Sequence, residues 1–560
     1  MFKFLKKGDA VLCSELPLLL LLLLVVVLRF PNFFEPYWYG DEAIYLTVGT
    51  ALRQGALMYA EIVDHKTPLI YYFASVPNQL WFRVLNLGWM IATTALFYHI
   101  SLRLFKRVLP TIVSTLLLVI FTTLPWFEGN IPNGELFVMG FILAGGLLLL
   151  YTQLGGILVE DKAAGWLSSP PPATNRTRFA HAIQVILAKN LTNTHDLILY
   201  VGAGLFFGLA ILTKVPAIFD VAGFLSLGWF ALVNTLPFNW RSFKTWLAAS
   251  FDITTDLLVI GLSTLLPIFI SIMYYASKGT LQAYTDLGLL YNFKYIQAWD
   301  PGYTSAIAKF LITLPGKVSV VTAVVLLVSL GRKLVDRRLQ FFLSWFALTM
   351  MAALLSNRPY PHYFMQVMPP LCLMVGFSVL KLQQFVYKKS LGSILRADLR
   401  PVVLALMATL ASIQFLVWIL LKFNVGVYPT VAYYKNTADY LTGTIDRDTY
   451  YQSFNGLMRD NYEAAQIITQ VDEPHLFIWG NNAALYALTK RSPVGRFTVT
   501  FHITDFKAEA ETFQDLVTTK PTFAVVMKGE TAQLPGLKSY LYENYWLNNN
   551  FTTFELWMKK

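Results

Sequence analysis

Cysteine is nearly absent from this 560-residue chain: Cys13 and Cys372 are its whole complement, both in or beside apolar runs. Two such residues build neither a disulfide framework nor a zinc–cysteine site. Charge is scarce too, with Asp, Glu, Lys and Arg together only 14% of the sequence. There is no Walker loop, no dinucleotide-binding glycine fingerprint and no internal repeat, which removes nucleotide-driven and repeat architectures. A cleavage signal is missing as well. Residues 1–30 begin like a secretory leader, with KFLKK before LPLLLLLLLVVVL, but RFPNFFEPYWYG follows without a small-x-small site. The segment therefore reads as an uncleaved first helix.

What is abundant is apolar surface. Hydrophobic residues make up 56% of the chain and the mean hydropathy is +0.51. Several runs reach the roughly 20 apolar residues that a helix needs to cross a bilayer. The runs predict about eleven spans, near residues 12–30, 84–103, 108–126, 136–154, 197–213, 215–234, 254–276, 307–330, 339–356, 364–381 and 401–422. The expected class is an all-α polytopic membrane protein. The net charge of +11 is split into short clusters between spans, such as Arg103, Lys106 and Arg107, Arg332, Lys333, Arg337 and Arg338, and Lys388, Lys389, Arg396 and Arg400. That is a positive-inside pattern rather than the concentrated basic face of a nucleic-acid binder. It predicts a multi-pass plasma-membrane protein with its N-terminus inside and its C-terminus outside. The outer loops are rich in Tyr and Trp, including Trp38, Tyr39, Trp126 and Trp299, which suits anchoring at the membrane–water interface. The longest inner loop, 155–196, is Pro/Ser-rich at its centre and holds sequons at Asn175 and Asn190 that a cytoplasmic placement leaves unmodified. From about residue 430 the composition turns soluble. HLFIWG (475–480) and FAVVM (523–527) read as strands, AALYALTKR and KAEAETFQDLVTTK as helices. The domain plan is thus a transmembrane unit over 1–425, with an outer loop at 31–83, and a small extracytoplasmic α/β domain over 430–560.

The ionisable residues are not spread evenly. The stretch YGDEAIYLTVGTALRQGALMYAEIVDHKTPLIYYF (39–73) places Asp41 and Glu42 side by side, then Asp64, His65 and Lys66 one loop later. Such groups beside a span are costly and mark chemistry. Neighbours on a helix point apart, so one of Asp41 and Glu42 faces a reaction while the other faces a metal, an Arg or a backbone donor. The alternative is an interfacial acid that only starts a helix over 41–54. Lys66 suits a phosphate, or else snorkels to the interface. Asp64 and His65 leave a divalent metal open, though two adjacent residues are a weak signature. Lys214, in GLFFGLAILTKVPAIF, lies between two apolar runs and needs a partner or an exposed turn. Glu135 in NIPNGELFVMGF, and Arg358 and His362 in SNRPYPHYFMQVMPPL, fall on the same side of the membrane in this topology.

The early outer Asp41-Glu42, the Lys66-Thr67-Pro68-Leu69 element with Tyr71 and Tyr72, and Gly-Leu-Ala-Ile-Leu-Thr-Lys214 resemble the GT-C class of polyprenyl-phosphate-dependent glycosyltransferases. The chain looks most like the protein O-mannosyltransferase family and its bacterial relatives, among them the lipid A aminoarabinose transferase. HYFMQVMPPL is similar to a late segment of the bacterial members. The likeness runs in outline over residues 10–380 and is dense in 39–73 and 204–216. The family's Lys-Pro-Pro is Lys66-Thr67-Pro68 here, and His65 stands where the aminoarabinose enzyme has an acid, so no definite metal site is implied. The resemblance implies Asp41 as catalytic base and Glu42 as its supporting acid. It implies Lys66 and Lys214 on the phosphate of a polyprenyl-linked sugar donor, and Glu135 as a looser match to an acid of the second outer loop. The partners implied are that donor, an acceptor lipid, glycan or protein, and the bilayer. The rival class is a flippase or transporter of lipid-linked sugars, which would set charges near the bilayer midplane and show repeats.

Overall fold

The computed structural model describes residues 2–159, 193–235, 243–297, 305–358, 360–387 and 398–560. The sequons Asn175 and Asn190, Trp299, and the basic residues Lys388, Lys389 and Arg396 lie outside them.

Long helices dominate: α1 (Phe2–Arg29), α2 (Gly40–Arg53), α3 (Gln79–Phe105), α4 (Val108–Thr123), α5 (Gly134–Leu149), α6 (Thr194–Thr213), α7 (Ala217–Thr235), α8 (Phe243–Ser277), α9 (Leu314–Leu330), α10 (Arg337–Ala353), α11 (Met368–Tyr387) and α12 (Arg400–Lys422). Every span read from the sequence coincides with one of these, and α2 is the helix expected over 41–54. Among the described residues, eight helices are long and apolar enough to cross a membrane, or nine if α5 and Gln153–Val159, bent by 91°, form one span. The estimate of about eleven exceeds this because α4, α5 and α10 are 16, 16 and 17 residues long. Four of these helices, α3, α6, α9 and α10, start where a side chain takes up an orphan backbone N–H group. Asn78 accepts from the Trp81 N–H at 3.2 Å, and Asp336 from the Arg338 N–H at 3.0 Å.

Small residues set a close helix contact. Gly204 and Gly208, one turn apart on α6, face the α8 backbone. A Cβ on Gly204 would lie 2.5 Å from the Ile260 carbonyl oxygen, and one on Gly208 2.4 Å from that of Thr264. This is the small-xxx-small arrangement that lets apolar helices approach in lipid.

The C-terminal part carries a five-stranded mixed sheet, from β1 (His475–Trp479), β2 (Ser492–Pro493), β3 (Phe523–Met527), β4 (Tyr545–Asn550) and β5 (Phe554–Lys559), in the order β2-β1-β3-β5-β4. β1 pairs in parallel with β2 and β3, and β5 antiparallel with β3 and β4. The expected strands and helices are present, the latter at Ala483–Thr489 and Glu509–Thr519. The β4–β5 hairpin is an addition, because YWLNNN and FELWMK lack a continuous apolar run. Strand alternation splits the core across the two faces. Phe477, Trp479 and Ala524 pack on one side, Leu476, Ile478, Phe523 and Val525 on the other.

This sheet unit is docked on the loop between α1 and α3. Val63 of the loop is fully buried within the first of those sheet cores and donates its N–H to the Arg496 carbonyl at 2.8 Å. Ala483, Ala484 and Val499 join the core formed by α2, Tyr59 and Tyr284.

Candidate active site

At this end of the bundle lies a cavity of about 1040 Å³. Asp41, Asp64, His65, Lys66, Glu135, Lys214, Arg358 and His362 all line it. These come from segments far apart in sequence, and they include every candidate site residue except Glu42.

Asp41 sits in the first turn of α2, half-buried, accepting from the Tyr45 hydroxyl at 3.2 Å and facing Lys66 Nζ at 3.4 Å. Burial alone would raise its carboxyl; Lys66, then His362 and Lys214, outweigh that and hold it below the usual carboxylate range. Asp41 is therefore ionised. Glu42, about 100° further round the helix, points away from the cavity. It is 1% exposed and forms a two-pronged pair with Arg83, at 2.9 and 2.8 Å, reinforced by Gln79 at 3.0 Å. Arg83 also reaches Glu35 at 3.4 Å. The expected supporting acid is thus the acid that faces an arginine, and it ties α2 to α3.

Lys66 lies on the stretch 54–68, which is pinned by Tyr59 donating to the Lys66 carbonyl (2.8 Å) and Thr67 donating to the Ile211 carbonyl (3.1 Å). Its ammonium stands between Asp41 and Asp64, the latter at 3.7 Å, and 5.0 Å over the Tyr45 ring. The two carboxylates outweigh burial and raise the Lys66 ammonium above its ordinary value, so it is cationic. Lys214 occupies the turn between α6 and α7. Its charge is met by Glu135 in a direct ion pair, and its Nζ lies 4.5 Å over the Tyr363 ring. The partner its position demanded is an acid of this chain. Arg358 stacks on Tyr295, 3.9 Å from the ring centre, and Tyr295 stacks at 4.9 Å on His65.

Further cavity residues carried no strong sequence signal. Glu128, in WFEGNIPNGE, accepts from the Tyr39 hydroxyl at 2.6 Å and pairs directly with His362, whose Nδ1 lies 3.0 Å from the same hydroxyl. Its φ is +58°, a left-handed conformation unusual for glutamate, of the kind retained at functional sites. Its only clue in sequence is an acid in a short loop before Glu135. The region after α12 contributes Tyr428, Phe454, Asn481, Phe501 and Asp505 to the wall.

One donor set suits a metal. Asp64, His65 and His502 are the one such trio among the described residues whose ligand atoms lie within 4.8 Å of one another. Burial pushes His502 down to about 3 and also lowers His65, leaving both imidazoles neutral. Lys66 and the hydrogen bond from the His65 side chain outweigh the opposing effect of burial and keep the Asp64 carboxyl well below its ordinary value.

No protein-family model and no curated protein matches the chain. Among solved structures it is similar to the crystal structure of the Archaeoglobus fulgidus oligosaccharyltransferase in its apo form, at 15% identity and a TM-score of 0.40, over 92% of this chain and 69% of that one.

Proposed function

We propose that this protein is an inverting glycosyltransferase. It moves a sugar from a polyprenyl-phosphate carrier, undecaprenyl- or dolichyl-phosphate, to an acceptor hydroxyl at the outer face of the membrane. One observation carries the reading: an ionised carboxylate, Asp41, shares a cavity at one end of an apolar bundle with Lys66, Lys214 and Arg358.

That inventory matches a single displacement. The acceptor oxygen attacks the anomeric carbon as the bond from that carbon to the phosphate oxygen breaks, and the leaving phosphate takes the electron pair. A phosphate leaves without a strong general acid if cations meet its charge; Lys66 and Lys214 do so, with Arg358 beside them. Asp41 receives the hydroxyl proton. Its low proton affinity rests on Lys66, so a phosphate that draws Lys66 away makes Asp41 more basic as the hydroxyl arrives. A cavity of about 1040 Å³ holds a sugar and its phosphate, while the lipid tail lies against the bundle.

The test is transfer from radiolabelled polyprenyl-phosphate sugars in membranes bearing the protein. Asp41→Asn should lower transfer by about 100-fold or more. Transfer at the wild-type rate would overturn the base assignment. If no donor is used while labelled lipid crosses the bilayer of vesicles, the protein is a flippase.

A further inference from the structure

We infer that Asp64, His65 and His502 bind a divalent transition-metal ion, zinc by preference, that clamps the C-terminal sheet unit to the loop carrying Lys66. The inference stands on geometry and does not depend on the transferase reading. Its third ligand, His502, lies outside the stretch that carried the sequence resemblance.

Three ligand atoms face one point. His65 Nδ1 lies 2.9 Å from His502 Nε2 and 3.0 Å from Asp64 Oδ1, and His502 Nε2 lies 3.2 Å from that same oxygen. Two imidazole nitrogens and a carboxylate oxygen set nose to nose crowd three electron-rich atoms around one point. A cation at the centre resolves this. Zinc bonds of about 2.0–2.2 Å to nitrogen and oxygen place neighbouring ligands roughly 3.3–3.5 Å apart in a tetrahedron, so the observed triangle needs only a few tenths of an ångström of expansion. Two nitrogens with one oxygen suit zinc and its first-row neighbours over calcium or magnesium, which prefer oxygen throughout.

The surroundings hold the ligands in place. Tyr71 donates to the other Asp64 oxygen, the His65 backbone N–H donates to Asp64 Oδ1 at 2.8 Å, and the His65 ring is stacked on Tyr295. All three ligands are buried, at 0%, 7% and 0% exposure for Asp64, His65 and His502. Such outer contacts fix the direction of a ligand and commonly matter 10- to 100-fold in affinity. His502 belongs to Thr500–Asp505 of the C-terminal unit, whereas Asp64 and His65 belong to the loop, so the ion joins the two where Lys66 faces Asp41.

The full-length protein, purified without chelator, should contain about one zinc per chain by elemental analysis. His502→Ala should lose it, and His502→Cys, which keeps a ligand, should retain it and give a thiolate-to-metal charge-transfer band after cobalt exchange. Chelator should lower the melting temperature of wild type and His502→Cys but not of His502→Ala. A wild type that binds no metal when given zinc in excess, or equal metal in wild type and His502→Ala, would overturn the assignment. Should His502→Ala fail to fold, the cobalt spectrum of His502→Cys decides alone: without the thiolate band the clamp is refuted.

Discussion

Asp41 and Glu42 show how one residue step on a helix separates two tasks. Asp41 faces the cavity and Lys66; Glu42 is held by Arg83 inside the protein. Removing one partner of a buried pair costs about 3–5 kcal/mol, and without Glu42 the Arg83 guanidinium keeps only the longer carboxylate contact to Glu35 at 3.4 Å. Glu42→Ala should therefore lower the detergent-solubilised protein's melting temperature strongly, whereas Asp41→Asn, half-exposed, should leave it nearly unchanged. Thermal unfolding of the two variants checks this. Lys66 tests the electrostatics of the same site. Lys66 holds the Asp41 carboxyl down against burial, so Lys66→Gln should raise its pKa. The acid limb of the kcat/KM profile, where protonation silences the base, should then move to higher pH. An acid limb that does not move, or moves to lower pH, would separate Lys66 from Asp41.

Among the helices, the contact of α6 on α8 depends on the absence of side chains. A Cβ on Gly208 would sit 2.4 Å from the Thr264 carbonyl oxygen and 2.9 Å from the ring of Pro267. Backbone cannot yield as a side-chain tip does, so Gly208→Leu must push the helices apart, at roughly 1–3 kcal/mol or more. The expected result is a lower melting temperature and weaker transfer, since α6 ends at Lys214 and moves it relative to Glu135. A variant as stable and active as wild type would mean that α6 and α8 have room for a side chain at this contact.

Across the whole molecule, the bundle and the sheet unit share one cavity, and the loop 31–83 is the joint between them. The Tyr433 hydroxyl, in the helix Thr430–Leu441, shares its one proton between Asn32 Oδ1 at 2.9 Å and Glu35 Oε1, and Tyr434 donates to the Leu28 carbonyl at 2.8 Å. These bonds seat the start of the C-terminal region on the end of α1. Tyr433→Ala removes this shared hydrogen bond and an aromatic contact with Phe454, worth about 1–3 kcal/mol. It should make the segment 423–430 more sensitive to protease and lower transfer, with Tyr433→Phe in between. Equal digestion of all three would show that docking rests on the sheet contacts alone.

The helical class, the placing of the spans and the strands at 475–480 and 523–527 were legible in sequence because each follows from local periodicity and from the cost of apolar surface in water. The charged cluster at 39–73 was legible for a related reason: ionisable groups are rare in so apolar a chain, so their position alone marks the site. Which way each one points was not. Glu42 turns to Arg83, 41 residues on, and Lys214 to Glu135, 79 residues back. His502 meets His65 across 437 residues, and His362 meets Glu128 across 234. No periodicity spans such distances. Those pairings are set by how bundle, loop and sheet pack, and a charge or imidazole left buried must take whatever partner that packing provides.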